Sequence, residues 1–386
     1  MNARPSLTRP ALLLVAAGVT TALGGSIAGA AATRTAARGP VAAHVAAASP
    51  ELTEGPLEDR AESAVVLLVL DGVRWQDVFE GADPVLARRH DLDPRAWRSP
   101  RDLMPNLHRL VDASGVIVGA PGQGATMAAS GPQFISLPGY LEIFAGKPDP
   151  ACDRNDCARP PARTVLDDVA AVSGPDDVAV VASWPNIAQA VSADVTRFAV
   201  TAGRHFVARS ALLRSDDATS RWLDLGRAAG PWPGRGDYRP DAFTAQVALH
   251  YLESSRPRFL FVGLGDADEH AHHDDYASYL EAVHQADAFV GALAELLGRM
   301  GARGRHTTVL ITADHGRAFD FKDHGPQYPE SGRVFLVAIG QDVRHPHAAG
   351  AARRHTLSDV APTVRALLGV GGGTGEAIPE IAASPR

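Results

Sequence analysis

The 386-residue sequence predicts an α/β protein, a three-layer α/β/α sandwich around a mostly parallel central sheet. Two observations support this prediction. Continuously apolar runs of strand length recur along the chain, and such runs are typical of parallel strands that are buried on both faces. Between these runs, apolar residues recur every three to four positions, which predicts helices. Strands that alternate with helices favour crossover connections and therefore a parallel sheet.

The predicted elements follow in chain order. Five apolar runs are interpreted as strands, at 64–70, 178–182, 259–264, 307–312 and 334–339. The clearest helix spans 276–300, and Asp274 or Asp275 can cap its amino end. Because no internal repeat divides the chain, we expect one folded domain over 61–370 and a loose glycine-rich tail over 371–386.

Charge excludes one broad class of function. The formal net charge is -7, and no run of lysine and arginine could neutralise a row of phosphates. We therefore expect no nucleic-acid scaffold role.

The amino terminus has the three-part layout of a secretory signal. Arg4 and Arg9 precede an apolar stretch over 11–24, and small residues follow it. That stretch is too short and too rich in alanine, glycine and threonine for a comfortable membrane span. We expect a signal peptide over 1–31, a flexible linker over 32–60, no stable membrane span in the mature chain, and a secreted or periplasmic location. An alanine-rich tail or an uncleaved anchor is the alternative.

The only two cysteines, Cys152 and Cys157, lie close together. Outside the cytosol such a pair would oxidise and close a small loop. A reduced pair without a role is the alternative, and the sequence leaves this open.

Acidic residues and histidines follow three of the predicted strands. In open α/β sheets the functional loops lie just beyond the carboxyl ends of the strands. Any one of these residues alone would be interpreted as a turn residue. Carboxylates and imidazoles in several such loops are the ligand types that a zinc site requires. The residues are Asp71, Asp266, Asp268, His270, His272, Asp314, His315 and His324.

A serine lies where an anion could bind. Ser136 stands just ahead of Pro138, which can occupy the first turn of a helix. The hydroxyl of Ser136 would then lie near unsatisfied backbone N–H groups. The alternative is a simple helix N-cap.

In their order along the chain, these segments resemble the alkaline phosphatase superfamily, in particular its nucleotide pyrophosphatase/phosphodiesterase-like members and related bacterial proteins. The resemblance covers most of the chain from Val65 to Leu368 and implies an alkaline phosphatase-like fold. The segments that carry it are Asp71 after the first strand, Met104-Pro105-Asn106-Leu107-His108-Arg109-Leu110, Ser136-Leu137-Pro138, the Asp-x-x-x-His element, Asp314-His315-Gly316, His324-Gly325 and Ser358-Asp359-Val360-Ala361-Pro362-Thr363.

The resemblance implies a hydrolase of small-molecule phosphate esters, either a phosphomonoesterase or a phosphodiesterase, with two divalent metal ions, zinc being expected. Ser136 would be the nucleophile and would form a phosphoseryl intermediate. The implied ligands are Asp71, Asp314, His315 and Ser136 for the first ion and Asp268, His272 and His324 for the second.

Two interleaved pairs have the Asp-x-x-x-His spacing, Asp266 with His270 and Asp268 with His272. We expect the later pair to supply the ligands, because related bacterial sequences keep two acidic residues and then a histidine in that frame. The earlier pair would then orient the ligands or lie at the surface.

Two positions depart from the patterns of relatives. Phosphodiesterase-like relatives place an amide side chain where this chain has Gly139, and the motif that sulfatases mature to formylglycine ends in arginine where this chain has Tyr140. A sulfatase-like or phosphonate-ester hydrolase is the alternative enzyme, and an inactive binding protein that keeps the fold is the non-enzyme alternative. Trp184 and Asn186 are candidates for substrate contact, and a core tryptophan and a turn residue are the alternatives.

The signal-like layout predicts that the mature protein begins after residues 28–32 and is found outside the cytoplasm. Sequencing of the amino-terminal peptide of the exported protein measures this. A cytosolic protein that retains Met1 would contradict it.

Overall fold

The computed structural model describes residues 63–122, 124–157, 163–343 and 353–382. The predicted signal peptide and linker lie outside the described residues. Cys152 and Cys157 form a disulfide, so the oxidised alternative describes this structure.

An eight-stranded sheet forms the centre of the molecule, in the order β2-β10-β8-β1-β7-β4-β5-β6, and a three-stranded sheet has the order β11-β3-β9. The central strands β8, β1, β7, β4 and β5 are parallel, and the antiparallel pairings lie toward the two edges. The strands are β1 Ala64–Leu70, β2 Gly115–Val118, β3 Thr126–Ala128, β4 Val178–Ala182, β5 Ala199–Ala202, β6 Phe206–Ala208, β7 Phe259–Leu264, β8 Thr307–Thr312, β9 Arg333–Val334, β10 Leu336–Ile339 and β11 Arg354–Thr356.

The predicted fold class is confirmed. Every residue of β1, β4, β7 and β8 is buried, so both faces of the central sheet are covered. The bounds of these four strands agree with the apolar runs of the sequence, because a strand without a solvent-facing side has no polar alternation.

The predicted strand at 334–339 is divided between the two sheets. Val334 pairs with Met127 in the small sheet, and Leu336 pairs with Thr312 in the central sheet. Between them, the carbonyl of Phe335 accepts a hydrogen bond from Thr312 Oγ1 at 2.5 Å. The prediction of one strand was wrong because an apolar run records burial and does not record which sheet the backbone joins.

The helices cover the sheet and position the polar loops. The predicted helix 276–300 is confirmed as Tyr276–Arg299, and Asp275 caps it by accepting from the backbone N–H of Ser278 at 2.9 Å. The helices are α1 Trp75–Phe79, α2 Pro84–Arg89, α3 Pro100–Leu103, α4 Pro105–Ser114, α5 Ser136–Ala145, α6 Val165–Ser173, α7 Ile187–Val191, α8 Ser210–Leu213, α9 Asp217–Ala228, α10 Asp241–Ser255, α11 Asp266–His272, α12 Tyr276–Arg299, α13 Ala302–Arg305 and α14 Val360–Leu368.

The chain beyond α14 differs in part from the expected loose tail. Ile378 and Ile381 are fully buried and belong to the hydrophobic core. The backbone N–H of Ile378 donates to Thr363 Oγ1 at 2.9 Å, which joins this segment to α14. The burial of these two isoleucines stabilises the packed position of this segment, although the residues before it are rich in glycine.

Candidate metal centre

The carboxyl ends of β1, β7 and β8 meet at one edge of the sheet because these strands are parallel neighbours. The backbone N–H of Asp71 donates to the carbonyl of Leu264 at 2.9 Å, so the loops after β1 and β7 begin side by side. The backbone N–H of Gly72 donates to Asp314 Oδ1 at 3.1 Å, which joins the loop after β8 to them. Side chains that are far apart in sequence therefore converge at this edge.

Ser136 lies next to this convergence, at the first residue of α5. Its Oγ is 3.3 Å from Asp71 Oδ1 and 3.3 Å from His315 Nε2. Ile135 occupies the N-cap position of α5 without a side-chain hydrogen bond, so Ser136 is not a simple N-cap here. The hydroxyl of Tyr140, one turn later, donates to Asp71 Oδ2 at 3.0 Å and orients that carboxylate.

Asp71, Asp314 and His315 form the first cluster of possible ligands, with their ligand atoms all within 4.8 Å of one another. His315 Nε2 lies 3.4 Å from Asp314 Oδ2 and 3.5 Å from Asp71 Oδ1. The other ring nitrogen, His315 Nδ1, is 2.8 Å from the carbonyl of Gly316 and donates to it. That bond leaves Nε2 unprotonated and directed at the carboxylates, as in a histidine that ligates a metal.

Asp268, His272 and His324 lie together beside the first cluster. His272 Nε2 is 3.0 Å from Asp268 Oδ2 and 3.2 Å from His324 Nε2. His324 Nδ1 contacts the carbonyl of Phe134 at 2.9 Å, which orients the ring, and the ring stacks on that of His315 at a centroid distance of 3.9 Å. Ligand atoms of Asp268, His315 and His324 also lie within 4.8 Å of one another, so His315 adjoins both clusters.

The two Asp-x-x-x-His pairs lie on different faces of α11. Residues four apart on a helix share a face, whereas residues two apart are about 200° apart around the axis. Asp266 accepts hydrogen bonds from the hydroxyl of Tyr238 at 2.8 Å and from the backbone N–H of Asp241 at 3.2 Å. The ring of His270 contacts that of Trp232. The fold therefore directs the later pair into the cluster, and the role of that pair as ligands stays a prediction.

In the first cluster, burial disfavours the charged forms of the side chains and shifts their pKa values accordingly. Burial and the charges of Asp314 and Asp268 raise the pKa of Asp71 well above its ordinary value. Burial and the charge of Asp268 likewise raise the pKa of Asp314 to about 8. Burial, together with the neighbouring His324, lowers the pKa of His315 well below its ordinary value. These directions describe a site with too little positive charge for its carboxylates.

A divalent cation fits this donor set. Oδ2 of Asp314 is buried and has no hydrogen-bond partner within the described part of the chain. An unpaired buried carboxylate oxygen is costly, and a bound cation reverses that cost because it favours the deprotonated acid. Carboxylate oxygens and imidazole nitrogens together suit zinc better than calcium, which prefers oxygen ligands throughout.

Two glycines allow the close approach of these loops. Gly72 has a φ of +62°, and a Cβ there would overlap the carboxylate of Asp268. A Cβ at Gly139 would lie 2.5 Å from the carbonyl oxygen of Asp314. The amide side chain that phosphodiesterase-like relatives carry at this position therefore cannot be accommodated on this backbone.

Asn155, which sequence reasoning missed, lies at the start of α5. Its Oδ1 accepts from the backbone N–H of Leu137 at 2.9 Å, so that N–H is not free for an anion as the sequence suggested. Asn186 donates from Nδ2 to the carbonyl of Asn155 at 2.7 Å. The loop between Cys152 and Cys157 carries Asn155, and its position between two cysteines was the only signal in the sequence.

Trp184 and Asn186 both lie near α5. The ring of Trp184 is partly buried against the core, and its centroid is 6.3 Å from that of Tyr140. Asn186 contacts Asn155, as described above. The structure thus places both residues beside α5, and their contact with a substrate stays a prediction.

Comparisons with known proteins bear on the family and the fold. Residues 240–371 match the family model of the Metalloenzyme superfamily. No curated protein matches the chain in sequence. In the part of the chain that is described, no helix is long and apolar enough to cross a membrane.

Among solved structures, the chain is similar to wild type alkaline phosphatase PafA, with 11% identity, a TM-score of 0.54, and coverage of 83% of this chain and 99% of that chain. It is similar to a 2-O GAG sulfatase, with 14% identity, a TM-score of 0.51, and coverage of 82% and 72%. It is also similar to the lipoteichoic acid synthase LtaP from Listeria monocytogenes, with 12% identity, a TM-score of 0.50, and coverage of 84% and 77%. At these identities the comparisons show the fold.

Single alanine substitutions test which pair on α11 binds metal. We expect Asp268→Ala and His272→Ala to lose zinc and activity, because both side chains face the cluster. Asp266→Ala and His270→Ala should have milder effects and serve as matched controls on the same helix. Metal content per chain, measured by mass spectrometry of the elements, checks this, and zinc loss confined to the two controls would contradict the assignment.

Asp314→Asn tests the unpaired carboxylate in metal-free protein. The folded chain keeps a proton on Asp314 up to a pKa of about 8, whereas the unfolded chain releases it near 3.8. The stabilising contribution of Asp314 is therefore present at low pH and lost as the pH rises through about 8. In a chelator, the melting temperature of the wild type should fall relative to that of Asp314→Asn between about pH 5 and about pH 9. A constant difference across that range would contradict the prediction.

Proposed function

We propose that this chain is a member of the alkaline phosphatase superfamily and a metal-dependent hydrolase of phosphate esters in which Ser136 is the nucleophile. The observation that supports this most directly is the position of Ser136 Oγ. It lies 3.3 Å from both a buried carboxylate and a buried imidazole of the ligand cluster. A serine that only capped a helix would have no reason to adjoin either group.

The metal ligands in this proposal are those predicted from the sequence. Asp71, Asp314 and His315, with Ser136, would hold one divalent cation, and Asp268, His272 and His324 the other. When bound, two such cations neutralise the charge of the phosphoryl group and favour the deprotonated serine.

The chain's own residues orient the nucleophile. The hydroxyl of Ser136 donates to Asp71, and Tyr140 fixes that carboxylate from the other side. Ser136 and Tyr140 both lie on α5, so the position of this helix determines both the place of the nucleophile and the orientation of Asp71. Attack of Ser136 Oγ on phosphorus forms a P–O bond to the serine and breaks the P–O bond of the ester, and the proton that the serine loses leaves with the alcohol. Water then breaks the P–O bond to Ser136, which releases the phosphate and returns a proton to the serine hydroxyl.

The substrate reaches this site from the side of His272. The side chain of His272 is 43% exposed, whereas those of Asp314 and His315 are fully buried. The phosphoryl group would therefore enter past His272, with the ester's alcohol toward solvent. Asn155, Trp184 and Asn186 lie on the side of α5 and are proposed to contact the substrate there.

A sulfatase-like or phosphonate-ester hydrolase is the second candidate, because a solved sulfatase shares the fold. Tyr140 argues against sulfatase maturation. At the position of the arginine that ends the maturation motif, this chain has a buried tyrosine whose hydroxyl orients Asp71. Serine that is unmodified at position 136 in intact-protein mass spectrometry would exclude the formylglycine alternative.

The mature protein also carries a disulfide, which forms and persists in oxidising compartments. This supports a secreted or periplasmic location as part of the proposal.

Ser136→Ala, assayed on a panel of esters, tests the function. The wild type should hydrolyse p-nitrophenyl mono- or diesters of phosphate faster than the matching sulfate and phosphonate esters. Ser136→Ala should lower kcat by at least about 10³-fold, because it removes the nucleophile. Its metal content should stay near that of the wild type, since three protein ligands remain at that ion.

The hydroxyl of Ser130 donates to Glu142, which lies on the same helix as Ser136 but away from the ligands. Ser130→Ala removes this hydroxyl and is therefore the matched control. It should keep its activity. Near-normal turnover in Ser136→Ala would remove Ser136 from the mechanism, and sulfate as the best substrate would favour the second candidate.

A further inference from the structure

A buried arginine lies at the predicted second cation site. Arg317 follows Asp314-His315-Gly316, and its side chain is fully buried. Its Nη1 pairs with Oδ1 of Asp268, the carboxylate proposed as a ligand of the second cation.

The loop that carries His324 holds this guanidinium in place. Arg317 donates from Nε to the carbonyl of Phe321 at 2.5 Å and from Nη2 to the carbonyl of Lys322 at 2.5 Å. Three separate N–H groups of Arg317 therefore have an acceptor each. Such a fork fixes the position of the charge, which a flexible lysine would not do.

The two clusters differ in whether, among the described residues, they contain a carboxylate oxygen that makes no hydrogen bond and can bind a cation. Asp314 Oδ2, in the first cluster, has no hydrogen-bond partner among the described residues. In contrast, both oxygens of Asp268 are engaged, Oδ1 by Arg317 and Oδ2 by His272. A cation at the second site must therefore share its only carboxylate with the guanidinium of Arg317.

We propose that Arg317 makes the two cation sites unequal, so that the site of Asp71, Asp314 and His315 binds zinc tightly while the site of Asp268, His272 and His324 binds it weakly. The occupancy of the second site then follows the concentration of free zinc. When that site is empty, Arg317 remains as the fixed positive charge beside Asp268. The inference rests on the proposed ligand sets and not on the substrate.

Zinc titration of the full metal-free protein at buffered free zinc tests this without any assay of activity. Metal content after equilibrium dialysis should rise in two steps. The free zinc concentration at the midpoint of the first step should lie at least about tenfold below that of the second step. Asp314→Asn should remove the tighter step, and Asp268→Asn the weaker one. Two zinc ions that bind in a single step overturn the proposal, as does loss of the tighter step in Asp268→Asn. Failure to bind any zinc would instead overturn the proposed ligand sets as zinc sites, on which the proposed function depends.

Arg317→Gln identifies the cause of the difference. Glutamine keeps one amide donor for the loop carbonyls but has no charge, so the second zinc should bind about 10–100-fold more tightly and the first zinc unchanged. Arg89→Gln is the matched control, because Arg89 donates from Nη1 to the carbonyl of Asp320 in the same loop at 3.0 Å without contact to Asp268. It should leave both steps as in the wild type.

A folded Arg317→Gln protein whose second zinc binds equally or more weakly would overturn the proposal and assign Arg317 the positioning of His324. Arg317→Lys guards against a misfolded glutamine variant, since it keeps a positive charge but lacks the fork that fixes its position. The second zinc should bind with an affinity between those of the wild type and Arg317→Gln, and a second zinc that binds more weakly than in the wild type in a folded Arg317→Lys protein would also overturn the proposal.

Discussion

Three carboxylates are buried close together at the carboxyl edge of the sheet, those of Asp71, Asp268 and Asp314. The surrounding structure must offset the repulsion between their negative charges. Asp71 and Asp314 follow β1 and β8, and Asp268 lies in the first turn of the helix after β7, so the parallel order of β8, β1 and β7 brings them together. Burying unpaired charge costs far more than a hydrogen bond returns. A fold that keeps such a cluster must therefore either hold protons on the acids, as the raised pKa values of Asp71 and Asp314 indicate for the metal-free chain, or supply compensating positive charge.

The chain supplies that charge unevenly. Asp71 accepts from Tyr140 and Ser136, and Asp314 accepts from the backbone of Gly72, yet one oxygen of Asp314 has no partner among the described residues. Burial opposes ionisation of Asp268 as well, but the charges of His272 and Arg317 hold the pKa of that carboxyl well below its ordinary value. Neutral hydrogen-bond donors thus contact Asp71 and Asp314, whereas charged side chains contact Asp268. This asymmetry is consistent with cations as part of the working site.

Close packing of the loops sets the position of Ser136, the proposed nucleophile. The absence of a side chain at Gly139 lets α5 approach the carbonyl of Asp314, which brings Ser136 to Asp71 and His315. The space that an amide would fill on that helix is closed, and another amide, that of Asn155, lies at the helix start instead. The disulfide between Cys152 and Cys157 closes the short loop that presents Asn155.

The sequence by itself determined the strands β1, β4, β7 and β8, the long helix Tyr276–Arg299 and the placement of ligand-type residues at strand ends. These features are local, since a strand buried on both faces must be apolar throughout and a helix shows its buried face every three to four residues. Only the tertiary structure decided which pair on α11 faces the cluster, since both pairs have the same spacing and the rotation of the helix depends on its packing. It also decided that Arg317 and Asn155 adjoin the site and that residues 378–381 join the core, because contacts across the chain leave no periodic signal in the sequence.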